Sequence, residues 1–197
     1  MIITLDHPFI FTSIDIIDLL NDVNTLNKFI LKLDKQSKLI PVESNITDDK
    51  YKGDGLELLT EALLKLSPID DRIGIGNYHI INDLDTGVDG VGIGLDGRVA
   101  TVQVKFRNDP NYFLTANDDH LSNFVVASQN RYKVPIDSNK HMLIVTTAAG
   151  INYFTEKEML LKKVRVINRK NLQQMLNNNI LFWDNFRILV NEALNNN

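Results

Sequence analysis

The stretch GVDGVGIGLDGRVATVQVKFR, residues 87–107, decides the fold. Two β-rich runs, Val88–Leu95 and Val99–Phe106, flank the pair Asp96-Gly97. Asp-Gly between alternating apolar residues is a strong hairpin signal. The length of the loop then settles which residues meet. A two-residue loop pairs Leu95 with Arg98 and Asp89 with Val104, which sends Gln103 and Lys105 to the face away from Asp89. A three-residue loop, with Gly97 in the left-handed region, pairs Gly94 with Arg98 and Asp89 with Gln103. Opposed residues share a face, and so do residues two apart on one strand. Only the longer loop therefore brings Asp89, Gln103 and Lys105 together, and it is the one expected here. It places Ala100, Val102, Val104 and Phe106 on the other face, opposite Gly90, Gly92 and Gly94, where the glycines are expected to admit a closely packed helix.

An acid, an amide and a lysine on one face have a definite chemistry. Carboxylate and amide oxygens suit Mg²⁺, which takes one or two protein carboxylates together with substrate phosphate. Such an ion offsets charge on a phosphodiester and lowers the pKa of bound water, and a lysine beside it adds a compact positive charge. The same residues also read as an ordinary half-exposed strand, since Asp-Gly is common turn chemistry and polar residues alternate with valines on many strands.

The rest of the chain reads as layered α/β. Residues 13–31 carry apolar side chains at helical spacing and predict one amphipathic helix, followed by a polar segment through Lys38 and a linker over 43–53. Asp54 is expected to start a helix over 55–66 that Pro68 ends. A strand over 74–82 precedes the hairpin. A helix over 115–129, a buried strand over 141–146, a helix over 156–161, a strand over 164–167 and helices over 170–176 and 181–194 follow. This order predicts a central mixed β-sheet flanked by helices. Glu57 reads in two ways: with Asp54 it has capping-box spacing, and with Glu61 and Lys65 it forms an i, i+4 polar stripe.

GVDGVGIG followed by VQVKFR resembles the Mrr-like branch of the PD-(D/E)xK restriction-endonuclease superfamily, in which glutamine often replaces the acid of the last motif. GDGLELLTEALLKL is similar to that family's first helix, HMLIVTTAAG to its threonine-ended strand, and VRVINRKNLQQML to its closing strand and helix. LTANDDHLSNFVVAS and FWDNFR resemble forms attached to viral and phage helicases. The likeness covers roughly residues 53–187 in order. It implies a restriction-endonuclease-like fold over 51–197 behind an N-terminal helical segment, 1–50, and a Mg²⁺-dependent DNA endonuclease, with Mn²⁺ as substitute. Asp89, Gln103 and Glu57 would hold the metal, the Val104 carbonyl would add a ligand, and Lys105 would act on the water or phosphate. Arg107, Arg131 and Lys133 are the expected DNA contacts. DNA, a fused or associated helicase and a second copy of the chain are candidate partners. A nuclease-fold module that binds DNA without cutting, and an interaction or oligomerisation domain, are the alternatives.

Composition sets outer bounds. The chain has 197 residues, 44% of them hydrophobic, which is enough for a sizeable core, and no cysteine. Disulfides and thiolate zinc sites are thereby excluded. MIITLDHPFIF lacks the basic region of a signal peptide, so a cytoplasmic protein with no membrane role is expected. The net charge of −4 is unevenly spread: residues 1–97 hold 8 basic and 17 acidic side chains, residues 98–197 hold 13 and 8. A local positive field matters more to nucleic-acid binding than the total. Lys162, Lys163, Arg165, Arg169 and Lys170 form a second basic group whose simplest role is a solvated face. The four histidines share no ligand spacing and read as structural or exposed, while Phe182, Trp183 and Phe186 read as core.

Overall fold

The computed structural model describes residues 3–8, 16–41, 44–67, 73–83, 86–118, 121–135, 140–153 and 160–196. They form a mixed α/β protein of two compact units, one of residues 1–66 with 171–197, the other of residues 67–170. No helix among them is long and apolar enough to cross a membrane.

The second unit holds the sheet. Its strands are β1 (Ile75–Asp83), β2 (Val88–Gly94), β3 (Val99–Lys105), β5 (Met142–Thr146) and β7 (Arg165–Ile167), in the order β1-β2-β3-β5-β7. The β1–β2 and β2–β3 pairs are antiparallel, β3–β5 and β5–β7 parallel. A short parallel pair, β4 (Phe113–Leu114) with β6 (Gly150–Ile151), stands apart from it. Helix α4 (Leu121–Asn130) packs on one face: Ser128 Oγ lies 2.8 Å from Thr101 Oγ1, and Leu121, Phe124 and Val125 share a core with Met142 and Ile144.

The hairpin has the expected three-residue loop. Gly90 pairs with Val102 and Gly92 with Ala100, Gly94 N–H donates to Arg98 C=O at 2.8 Å, and Gly97 sits at φ +80°. The last pair of this ladder is Gly90 with Val102, and alternation along the two strands puts Asp89 on the same side of the sheet as Gln103. Ala100, Val102 and Val104 are buried on the opposite face, together with their β5 partners Leu143 and Val145. The glycines of β2 serve a different purpose from the one expected. A Cβ at Gly90 would collide with the Tyr78 ring, and one at Gly92 with Ile75, so they accommodate side chains of the neighbouring strand β1.

The first unit is helical: α1 (Ile16–Leu20), α2 (Leu26–Ser37), α3 (Asp48–Leu66), nearly all of α5 (Arg169–Leu176), and α6 (Ile180–Asn195). The single helix expected over 13–31 is divided. Asp22 adopts φ +56°, and Thr25 caps α2 by accepting the Lys28 N–H at 3.2 Å. The polar segment after it continues α2, because Phe29, Ile30 and Leu33 keep an apolar face buried. Helix α3 starts six residues before Asp54, with the Thr47 hydroxyl accepting the Lys50 N–H at 3.2 Å. Gly55 gives the Leu33 side chain room to press against α3. Phe182, Trp183 and Phe186 are buried on α6 as expected. Residues 154–159, most of the helix expected over 156–161, lie outside the described residues; Leu160–Lys163 form a 3₁₀ turn. The suggested boundary near residue 50 falls inside α3.

Gly97 has open space around the position of a Cβ, so replacing it tests backbone conformation alone. Gly97→Ala should lower stability by about 1–2 kcal/mol, the cost of a left-handed non-glycine residue. Urea denaturation of the two proteins measures it.

Candidate functional site

In the second unit the three residues singled out by the hairpin do lie on one face. Gln103 is fully buried, at 0% exposure, beneath the face that α4 covers, and neither its amide oxygen nor its amide nitrogen has a hydrogen-bond partner. Lys105, two residues on, is half-buried and makes no ion pair with any described residue. Asp89 stands where β2 and β3 part company. Its Oδ2 accepts the Val104 N–H at 2.6 Å, replacing the backbone acceptor that the ladder would otherwise supply. Val104 thus takes part through its amide.

The exit of β3 is fastened by the two threonines that end β5. Thr146 Oγ1 donates to the Lys105 carbonyl at 2.6 Å, and Thr147 Oγ1 both accepts the Arg107 N–H at 2.6 Å and donates to the Arg107 carbonyl at 2.8 Å. Arg169 adds to this clasp. Its guanidinium donates to the carbonyls of Thr147, Arg107 and Asn108 at 2.5, 2.9 and 3.1 Å. A sequence cannot reveal that arginine's role, since its partners are backbone oxygens 22 and about 62 residues away.

Asp118, which reads as a helix cap, organises the loop after β3. Its carboxylate accepts from Arg107, from the Tyr112 hydroxyl and from the backbone and hydroxyl of Thr115. Burial pushes its pKa up, but the Thr115 N–H, Arg107 and Tyr112 outweigh burial and hold it below the ordinary carboxylate value. The Arg107 guanidinium, 5.5 Å from the Tyr112 ring centre, therefore has its charge compensated by Asp118. The other two expected DNA contacts are exposed at the end of α4. Arg131 lies 5.9 Å from the Tyr132 ring centre, and Lys133 Nζ donates to the Asn130 carbonyl at 2.7 Å.

Glu57 belongs to a cluster in the first unit. His7, Asp54 and Glu57 each offer one ligand atom, all within 4.8 Å of one another, and His7 Nε2 lies 3.0 Å from Glu57 Oε2. Helix α3 explains the pair of acids, one turn apart on one side. Glu61, the next residue of that stripe, is not solvated. At 0% exposure it accepts the N–H groups of Asp6 and His7 at 2.8 and 3.1 Å and pairs with Lys65 at 2.7 Å, so it anchors the segment carrying His7. Asp54 is an interior helix residue, bonded to Lys50 at 2.9 Å, and the capping box is absent. Burial, with the Glu57 charge adding to it, raises the Asp54 pKa despite Lys50. An imidazole with two carboxylates suits Mn²⁺, Fe²⁺ or Zn²⁺ as well as Mg²⁺. Sequence spacing could not assemble this group, because His7 is 47 positions from Asp54.

Of the other histidines, His79 is exposed, His141 is buried and bonded to Asp96 at 2.7 Å, and His120 lies outside the described residues. Comparisons with protein-family models, with curated proteins and with solved structures gave no match.

The Asp118 network yields a pH-dependent outcome. A carboxylate held below its ordinary pKa stabilises the fold above the unfolded value, about 3.9, and that contribution fades as pH falls through the folded value. Asp118→Asn should cost about 1–3 kcal/mol at pH 7, the range for hydrogen bonds to a charged group. Urea denaturation should show the gap between the two proteins narrowing steadily below pH 4.

Proposed function

We propose that the chain is a divalent-cation-dependent DNA nuclease of the PD-(D/E)xK type, with Asp89, Gln103 and Lys105 at the scissile phosphate. The observation that carries this reading is Gln103: a fully buried amide with both polar atoms unpaired, on the face shared by Asp89 and by Lys105, which makes no ion pair with a described residue. Leaving a buried polar group unsatisfied costs roughly 1–3 kcal/mol, and exceptions of this kind in a native fold call for an explanation. A metal ligand is one.

The donor set fits a hard cation. Asp89 and Gln103 offer oxygen, which Mg²⁺ prefers, and the Val104 carbonyl is the proposed additional ligand. When bound, the cation offsets phosphate charge and makes its water more acidic. The protein's own contribution is positional. The Val104 amide fixes the Asp89 carboxylate, the Thr146 hydroxyl holds the Lys105 backbone, and the Lys105 ammonium offers an uncompensated charge to a phosphate oxygen or the attacking water. Glu57, grouped with His7 and Asp54 in the first unit, is the further acid proposed to hold a divalent cation. Arg131 and Lys133 are the exposed basic residues proposed to meet the DNA backbone, with the Tyr132 ring between them.

One observation favours a second reading, a nuclease fold that binds DNA without cutting it. Gln103 has no exposed surface, and a neutral amide holds a cation less firmly than the acid it replaces. Cleavage separates the two. Plasmid and single-stranded DNA should be cut in Mg²⁺ or Mn²⁺ but not in chelator, and Lys105→Ala should slow cutting by about 10²-fold or more, as for loss of one transition-state charge contact. DNA binding that weakens with salt, without any metal-dependent cutting, would establish the second reading.

Gln103 itself can be probed by calorimetry with Mg²⁺ and Mn²⁺. Gln103→Glu should keep or raise metal affinity at this site, whereas Gln103→Leu should lower both affinity and cleavage while the protein stays folded. Equal affinity in all three proteins would remove Gln103 from the metal site.

A further inference from the structure

Arg165 opens β7, and among the described residues its guanidinium has no counter-ion. Within that set its hydrogen bond goes to the Ile73 carbonyl, no carboxylate pairs with it, and its Nε is sealed from solvent without a partner. Burial pulls its pKa down. The group lies close against the backbone of Gly74, where a Cβ would come within 3.3 Å of Nη1. A charge withdrawn from water is costly unless an opposite charge meets it.

The guanidinium lines a cleft of about 420 Å³, together with Gly74, Leu95, Asp96, Lys140 and His141. The acid among these residues is already engaged. Asp96 Oδ1 lies 2.7 Å from His141 Nε2, and Oδ2 accepts Arg98 Nε and Nη2 at 2.8 and 2.6 Å. Those contacts, His141 first and Arg98 second, hold the Asp96 carboxyl well below the usual range. Lys140 is exposed and makes no ion pair with a described residue. With Asp96 balanced by Arg98, the described lining of the cleft keeps two cations, Lys140 and Arg165, that make no ion pair with a described residue.

The cleft is separate from the face that carries Asp89, Gln103 and Lys105. His141 immediately precedes β5 and Arg165 begins β7, whereas Lys105 ends β3 beside Thr146, at the other end of the parallel strands. A phosphate bound here is not the one proposed for cleavage.

We propose that this cleft binds the phosphoryl group of a small phosphorylated ligand, with the Arg165 guanidinium as a two-pronged donor and the Lys140 ammonium as a second charge. A planar guanidinium matches an oxyanion edge in a way an ammonium does not. The volume exceeds what a bare phosphate fills and lies in the range of small-molecule sites, so an organic body attached to the phosphate has room beside Leu95 and Gly74. A terminal phosphate on a nucleic-acid strand offers the same group, and the experiment tells the two sources apart.

The test titrates the full chain with inorganic phosphate, with a mononucleotide, and with an oligonucleotide with and without a 5′-phosphate, following backbone amide shifts of Gly74, Leu95 and His141 by NMR. Phosphate and mononucleotide should shift these amides saturably. Lys140→Ala, an exposed change that leaves the fold alone, should weaken binding several-fold. Arg165→Gln should weaken it by about tenfold or more, the scale of a lost hydrogen bond to a charged group. Arg165→Lys keeps the charge, and should recover only part of the affinity because the fork is lost. Tight binding confined to the 5′-phosphorylated oligonucleotide would identify a strand end as the source of the phosphoryl group. Absence of saturable shifts with every ligand, or equal affinity in wild type, Lys140→Ala and Arg165→Gln, would overturn the proposal.

Discussion

A glycine held at φ +80° sets the pairing of β2 with β3, and the proposed chemistry depends on that register. Side chains alternate strictly along a strand, so slipping the ladder by one residue exchanges its two faces. With Gly97 closing a three-residue loop, Asp89 falls on the same side of the sheet as Gln103, and Lys105 follows on that side. With a loop one residue shorter, the valines of β3 would occupy that face and the polar residues would be driven into the opposite core. The turn is reinforced locally. Asp96 accepts the Arg98 N–H at 3.2 Å, pairs with the Arg98 guanidinium and holds the buried His141 beside β5, so a surface loop is tied to the next strand of the sheet.

The opposite end of the same strands is fastened by different means. Two consecutive threonine hydroxyls at the end of β5 seize the backbone of residues 105 and 107, and Arg169 and Asp118 hold the segment that follows. These contacts fix the backbone under Lys105, whose ammonium makes no ion pair with a described residue. A charge kept free on a rigid strand is what binding a phosphate without reorganisation requires. Gln103 lies between the two fastenings, and packing alone does not account for its unpaired amide.

What the sequence made legible follows from the range of the interactions. The hairpin register was readable because parity and an Asp-Gly turn are local, and β5 was readable because a strand buried on both faces is a continuous apolar run, Met142 to Val145. The break at Asn21–Asn24 was missed because the apolar spacing runs straight through it, while the cap at Thr25 is a one-residue signal. The sequence places the start of α3 late because 43–53 reads as a linker and Asp54 as a helix start; only the position of Leu33 explains why a glycine is wanted at 55. His7 joining Asp54 and Glu57, Asp118 gathering four donors, and Arg165 facing a cleft without a counter-ion all depend on residues brought together by tertiary structure. No spacing along the chain encodes them. The mixed five-strand sheet flanked by helices is the architecture that the order of elements along the chain predicts.

The central claim is that the Gln103 amide serves a cation site, and the side chain can report on this directly. Its NH₂ protons give a pair of resonances that a bound paramagnetic ion would broaden steeply with proximity. Stepwise addition of Mn²⁺ to ¹⁵N-labelled protein should broaden the Gln103 side-chain pair and the Val104 amide at substoichiometric metal, and excess Mg²⁺ should restore both. Broadening limited to the signals of His7, Asp54 and Glu57, with the Gln103 pair sharp at saturating Mn²⁺, would contradict the account.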